Sequence, residues 1–181
     1  MLRIGRFTIP ACAALLLACG PAAAETLKIG ISAILTGPAA EGGHHRLNGA
    51  KLAADAVNKA GGVLGRTVEL VVEDDQGTNP GAILAFSKLA TDPAIVGFVG
   101  PNPSTQLQAI APDVIKAGKP MMIGGTDPKL THSGNPWLFR CRPNDSYSAK
   151  VIADFGTNTL GRRKWAVIHS TTPSAPAGRT R

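Results

Sequence analysis

Cysteine and aromatic residues are scarce in this sequence. Three cysteines in 181 residues are too few for a disulfide-stapled scaffold. Two of them, Cys12 and Cys19, fall within the first twenty residues, so Cys141 stands alone downstream. A lone thiol makes neither an intramolecular disulfide nor a cysteine zinc site, and Cys141 is expected to be a small buried hydrophobe. Aromatics are 4% of the chain, which argues against stacking platforms for nucleic-acid bases. No Gly-x-Gly-x-x-Gly follows the first apolar run and no Walker loop is present, so a nucleotide has no phosphate cradle. No nucleophile elbow organises the scattered Ser, His and Asp residues. His44 and His45 are adjacent, and His132 and His169 are remote in sequence, so no zinc spacing appears. These four are expected on the surface or at caps. A Rossmann-type enzyme is therefore the weakest reading, and no cofactor or metal is expected.

What is present divides into a leader, a patterned body and a tail. Arg3 and Arg6 precede an apolar run from Phe7 to Cys19, followed by Gly20-Pro21-Ala22-Ala23-Ala24. A basic start, a short apolar stretch and small residues before Glu25 predict a secretory signal over residues 1–24, cleaved after Ala24. Pro10 and Gly20-Pro21 make a buried first helix a poor alternative. Leu16-Leu17-Ala18-Cys19 also resembles a lipobox, so a lipid anchor at Cys19 is the second reading. The formal charge of +7 loses its weight once its location is considered. Arg3, Arg6, Arg179 and Arg181 lie in the terminal segments, leaving 15 basic against 12 acidic residues. An ordinary solvated surface accounts for that balance without nucleic acid.

The body, with 44% hydrophobic residues overall, is rich enough to bury a core. Leu27 to Leu35 is a β-rich apolar run ending in Thr36-Gly37-Pro38. Leu47, Ala50, Ala54 and Val57 recur at helical spacing, and Gly61-Gly62 stops that helix. Val68 to Val72 is a second strand, ending in Glu73-Asp74-Asp75, whose acids are expected to serve turns and caps. Asn79-Pro80 predicts a helix start, with Asn79 as the cap. Ala82, Phe86 and Leu89 continue that helix. Ala94 to Val99 and Pro120 to Ile123 are further strands, separated by a helix through Leu107, Ile110, Val114 and Ala117. Trp137 to Cys141 is extended, Tyr147 to Thr159 helical, and Trp165 to Ile168 a last strand. Alternating strands and helices, with the strands near-continuously apolar, predict an α/β fold with a doubly wound parallel sheet. Ligands in that architecture bind beyond the carboxyl ends of the strands, at loops starting here from Leu35, Asp74, Gly100 and Gly124.

Several stretches then carry a resemblance. Ile29-Gly30-Ile31, Leu35-Thr36-Gly37-Pro38-Ala39, Asn48-Gly49-Ala50-Lys51-Leu52-Ala53 and Asn58-Lys59-Ala60-Gly61-Gly62 come first. Val71-Val72-Glu73-Asp74-Asp75, Val99-Gly100-Pro101, Pro120-Met121-Met122-Ile123 and Thr126-Asp127-Pro128-Lys129-Leu130 follow in order. From about Leu27 to Ser170 the chain resembles the branched-chain amino-acid family of type I periplasmic binding proteins. The resemblance implies two α/β lobes closing by hinge motion on a solute, no catalysis, and delivery to the membrane permease of an ABC importer. It implies a periplasmic location and an amino acid or related carboxylate as ligand. A periplasmic sensor of the same fold, signalling to a receptor, is the alternative.

Carried over residue by residue, the resemblance makes Ser104 the carboxylate-binding serine and Thr126 the second ligand hydroxyl. Gly124 would offer its carbonyl to the ammonium. Asn102, Thr105 and Gly125 flank these positions and complete the expected ligand set. Independently, Ser104 would open the Leu107 helix, where unpaired backbone N–H groups favour an anion. The alternative role for Ser104 and Thr126 is to cap short helices. The chain departs from its relatives at Gly42, where many carry a first-loop aromatic, and at Asn102 and Pro103, which replace small hydroxyl residues. The expected organisation is a first lobe over residues 25–140, a hinge crossing with the start of a second lobe over 141–170, and an aberrant tail over 171–181. That tail, with Pro173 and Pro176 where a helix would follow, is either disordered or the product of a shifted reading frame. A chain with so little of the second lobe is expected to bind weakly or not at all.

Overall fold

The computed structural model describes residues 26–168. The expected leader and its cleavage site, Cys19, and the residues beyond Ile168 lie outside the described residues. Five strands are found: β1 (Leu27–Ala33), β2 (Val68–Asp74), β3 (Ile95–Val99), β4 (Met121–Ile123) and β5 (Leu138–Arg140). Between and after them lie α1 (Ala40–Lys59), α2 (Asn79–Thr91), α3 (Ser104–Ala117), α4 (Lys129–His132) and α5 (Asp145–Asp154). A π-helical turn, Phe155–Thr159, continues α5.

The strands form one parallel sheet in the order β2-β1-β3-β4-β5. The chain steps one way from β1 to β2, then back across β1 to β3. Right-handed crossovers therefore put α1 on one face and α2 and α3 on the other. The reversal between β1 and β3 leaves a crevice at the carboxyl edge, where their loops part in opposite directions. The expected doubly wound α/β fold is what forms.

The α2/α3 face holds the main core. Ala82, Phe86 and Leu89 of α2 and Leu107, Ile110 and Val114 of α3 pack on Ile95, Phe98, Met121, Ile123 and Leu138. Phe86 and Phe98 meet with ring centroids 4.9 Å apart at 58°, a tilted aromatic contact. Gly30 on β1 makes room there, since a Cβ would lie 2.8 Å from the Phe98 ring. Each such large apolar side chain, fully buried, contributes about 1.5–3 kcal/mol. On the opposite face α1 rests Leu47 on Ile31 and Ala33, with Ala50, Leu70 and Val72 partly buried around them.

Four details differ from the sequence-based expectation. The α2 cap is Thr78, not Asn79: Thr78 is extended and its Oγ1 accepts the Gly81 N–H at 3.0 Å. Asn79 and Pro80 are the first two helical residues, where the missing proline N–H is no loss. Ala40-Glu41-Gly42-Gly43 is the first turn of α1 and not loop; Gly43 passes so close to Ile34 that any side chain would meet its carbonyl. Cys141 is exposed, its Sγ donating to the Ile123 carbonyl at 3.3 Å just past β5. Trp165–Ile168 forms no strand. No described strand lies beside it, and the Trp165 ring packs on Gly156 instead, where an added Cβ would meet it at 1.9 Å.

Candidate functional site

At the carboxyl edge, the loops leaving β3 and β4 face each other across a cavity of about 360 Å³. Its walls are Asn102, Pro103, Ser104, Thr105, Gly124, Thr126, Arg142 and Asp145. Five of the six residues expected from the sequence thus share one crevice. Gly125 is the exception. It is buried, and a Cβ there would lie 2.5 Å from Leu107 and 2.8 Å from Leu130, so it lets the β4 loop fold down on α3. Gly124 is close-packed for a related reason: a Cβ would sit 2.2 Å from Asn102 Oδ1.

The floor of the cavity is the α3 amino terminus. Pro103 occupies the cap position and supplies no side-chain acceptor, so the first-turn N–H groups of α3 have no capping side chain. Ser104, the first helical residue, is buried, and its Oγ accepts the Asp127 N–H at 3.2 Å. Its own hydroxyl hydrogen is left to donate. Neither Ser104 nor Thr126 caps a helix, because α3 and α4 are capped at Pro103 and Pro128.

The β4 loop is held rigid by charges the sequence reading passed over. Arg140, at the end of β5, donates from Nη1 to the Thr126 carbonyl at 3.0 Å. Its Nη2 donates to the Asp127 carbonyl at 2.7 Å and to Thr131 Oγ1 at 3.1 Å. Burial pulls the Arg140 guanidinium below its ordinary pKa, opposed by the charges of Asp127 and Asp145. The Thr126 carbonyl also accepts the Asp145 N–H at 2.9 Å, which ties this loop to α5. Buried Asp127 accepts Gln108 Nε2 at 2.5 Å and the Lys129 N–H at 2.9 Å. With its carbonyl tied to Arg140 and Asp145, Thr126 is fixed where it lines the cavity.

Asp74 and Asp75 do serve turns. Asp74 accepts the Leu35 N–H at 2.9 Å, the Thr36 hydroxyl at 2.6 Å and the Gln76 N–H at 2.8 Å, clamping the β1 loop to the end of β2. Desolvation pushes its pKa up, but these donors together outweigh it and hold the carboxyl below the usual aspartate range. Fully buried Asp75 accepts Ser32 Oγ at 3.0 Å, the Gly77 N–H at 3.0 Å and Gln106 Nε2 at 3.1 Å. Gln106 thereby joins α3 to the β1 and β2 ends, and it too was missed. His44, exposed, places Nε2 3.2 Å from the Leu35 carbonyl, in keeping with a surface histidine at a loop.

Known proteins resemble this chain in sequence and in fold. A family profile described as periplasmic binding protein matches residues 26–180. The Leu/Ile/Val-binding protein homolog 3 of Brucella melitensis is 34% identical over 152 residues, covering 82% of this chain and 40% of that protein. The leucine-, isoleucine-, valine-, threonine- and alanine-binding protein of Pseudomonas aeruginosa is 32% identical over 149 residues, 81% and 39% of the two chains. The branched-chain amino acid transporter substrate binding protein LivJ of Streptococcus pneumoniae, solved with isoleucine, aligns at 31% identity and a TM-score of 0.70. That alignment covers 75% of this chain and 39% of LivJ. The chain spans about 40% of the length of the curated relatives it matches. The profile match across every described residue, together with the parallel sheet, places this chain in the periplasmic binding protein family, type I, beside the leucine, isoleucine and valine binders.

Proposed function

We propose that this chain captures branched-chain or related amino acids outside the cytoplasm for an ABC importer, handing them to a membrane permease, without chemistry of its own. The observation that carries the reading is the convergence of an uncapped α3 amino terminus, the Ser104 hydroxyl and Thr126 on one cavity. Backbone N–H groups at a helix start, reinforced by the helix dipole, favour a carboxylate. Ser104 adds a hydroxyl donor, Thr105 and Asn102 line the same wall, and the Gly124 carbonyl is a candidate acceptor for an ammonium. These roles also fit the names of the relatives, which are branched-chain amino-acid binders.

One wall of a cleft gives modest affinity. A solute lying in this cavity leaves one side to water, so its charges are only partly replaced by protein partners. Affinity in the millimolar range is expected, about −4 kcal/mol. Titration of the ¹⁵N-labelled 181-residue chain with L-leucine, L-isoleucine and L-valine tests the reading. Fast-exchange shifts confined to the β3 and β4 loops and the start of α3 are expected, and Ser104→Ala should abolish them. Shifts scattered elsewhere, or unaffected by Ser104→Ala, would remove the assignment.

A further inference from the structure

Two residues on the rim of the cavity carry full charges, Arg142 and Asp145. Asp145 has a structural use: it opens α5, where an acidic first-turn residue complements the helix dipole, and its N–H holds Thr126. Arg142 has none. It lies exposed between β5 and α5 and makes no hydrogen bond or ion pair among the described residues, unlike Arg140 two positions earlier, which donates three. Arg142 also lines the adjoining apolar hollow between α1 and the sheet, together with Asn102 and Gly124. It therefore stands where the polar cavity meets an apolar space.

We propose that Arg142 is a ligand-contacting residue that holds the solute carboxylate from the β5 side, against the α3 amino terminus. The proposal rests on the solute-capture reading above and makes it more specific. A guanidinium presents two parallel N–H donors matched to the two oxygens of a carboxylate, and such charge-assisted pairs are stronger than neutral ones. The helix end and Ser104 supply donors on one side of the crevice, and Arg142 supplies them on another. Both charge-bearing features selective for an anion act on the same ligand group. The Asp145 carboxylate and the Gly124 carbonyl line the same cavity and are left for the ammonium. The consequence is a site that requires the carboxylate of its solute and loses affinity when that group is neutralised or removed.

The test uses the 181-residue chain with three probes of one side-chain shape: L-leucine, 4-methylpentanoate, which lacks the ammonium, and L-leucinamide, which lacks the carboxylate. L-Leucine and 4-methylpentanoate, which share the carboxylate, should both bind, and L-leucinamide should not. Arg142→Gln should weaken both binding probes by about tenfold or more, as loss of one charged hydrogen-bonding partner does. Arg142→Lys should recover part of that loss. Since Arg142 has no hydrogen-bond or ion-pair partner among the described residues, the variants should keep the wild-type melting temperature, which separates loss of binding from loss of fold. If Arg142→Gln changes binding less than twofold while Ser104→Ala abolishes it, the proposal fails and the capture reading stands. L-Leucinamide binding as well as L-leucine, or no response to any probe at tens of millimolar, overturns both.

Discussion

Two rows of side chains cross the sheet one residue apart and meet different surroundings. In one, Gly30, Phe98, Met121 and Leu138 lie side by side, and α2 and α3 close over them. In the next, Ile31, Val99, Met122 and Phe139 lie side by side on the opposite face. There α1 covers Ile31 at 4% exposure, but Val99, Met122 and Phe139 are 37%, 45% and 49% exposed. Strand composition is apolar in both rows, so only the placement of helices distinguishes them. The crevice is built from the closed side. The start of α3, Asp127 and Arg140 all belong to that packed layer, which lets a rigid core fix the positions of Ser104 and Thr126. The open row does not bear on the site in the same way.

Met121 and Met122 are the sharpest probes of that contrast, being the same residue type, adjacent, on one strand. Met121→Ala removes a side chain with no exposure and should cost about 2–5 kcal/mol in urea unfolding, the range for truncation in a packed core. Met122→Ala should stay within about 0.5 kcal/mol of wild type, as at an exposed position. Equal costs would mean that the two faces are equally well covered in solution, and the contrast would be lost.

The link between the closed face and the crevice is polar, and it is expected to rank second. Asp75→Ala strips three donors, Ser32, Gly77 and Gln106, of their shared buried acceptor. A destabilisation of about 1–3 kcal/mol follows from donors left unmatched. Because Gln106 sits in the first turn of α3, the amides of Ser104 and Thr105 should also shift and broaden in the NMR spectrum. A stability loss without any change at α3 would show that the network holds the β1 and β2 ends alone. Third in size is the cap of α2. Thr78→Ala should cost about 1 kcal/mol through the lost acceptor for Gly81, whereas Asn79→Ala should be nearly neutral.

That last pair also shows which parts of the molecule the sequence disclosed. The strand–helix alternation and the parallel sheet followed from period and run length, because a sheet buried by crossovers imprints unbroken apolar runs; the choice of the β3 and β4 loops among the four at the carboxyl edge rested on the family resemblance. Thr78 and Asn79 both suit a cap, and only the backbone angles choose between them. Arg140 was illegible for another reason. Nothing local marks a cation at a strand end as the clamp for carbonyls ten or more residues earlier; that role exists only once β5 pairs beside β4. Cys141 was misjudged because composition alone makes a lone thiol look like core, while its position one residue past β5 leaves it at the surface. Trp165 to Ile168 had the composition of a strand, but a strand needs a neighbour, and the period of a sequence does not supply one.

The smallest expected effect belongs to the Asp74 clamp, at the carboxyl end of the edge strand β2. Desolvation disfavours its charge, yet the Thr36 hydroxyl and the Leu35 and Gln76 N–H groups bring its folded pKa below the ordinary aspartate value. A carboxylate whose folded pKa is depressed contributes stability that is present above its unfolded pKa and lost as pH falls through the folded one. Wild type should therefore lose stability on acidification from the usual aspartate range downward, with the β1 loop released first. Asp74→Asn keeps one acceptor oxygen but cannot titrate, so it should lower neutral-pH stability and lose correspondingly less on acidification. The measurement is a pair of thermal melts from neutral pH to below the aspartate range, with the Leu35 and Thr36 amides followed by NMR. If Leu35 and Thr36 stay protected at the acid end in wild type, then α1 packing alone holds the loop, and the open side of the sheet is better anchored than its exposed row suggests.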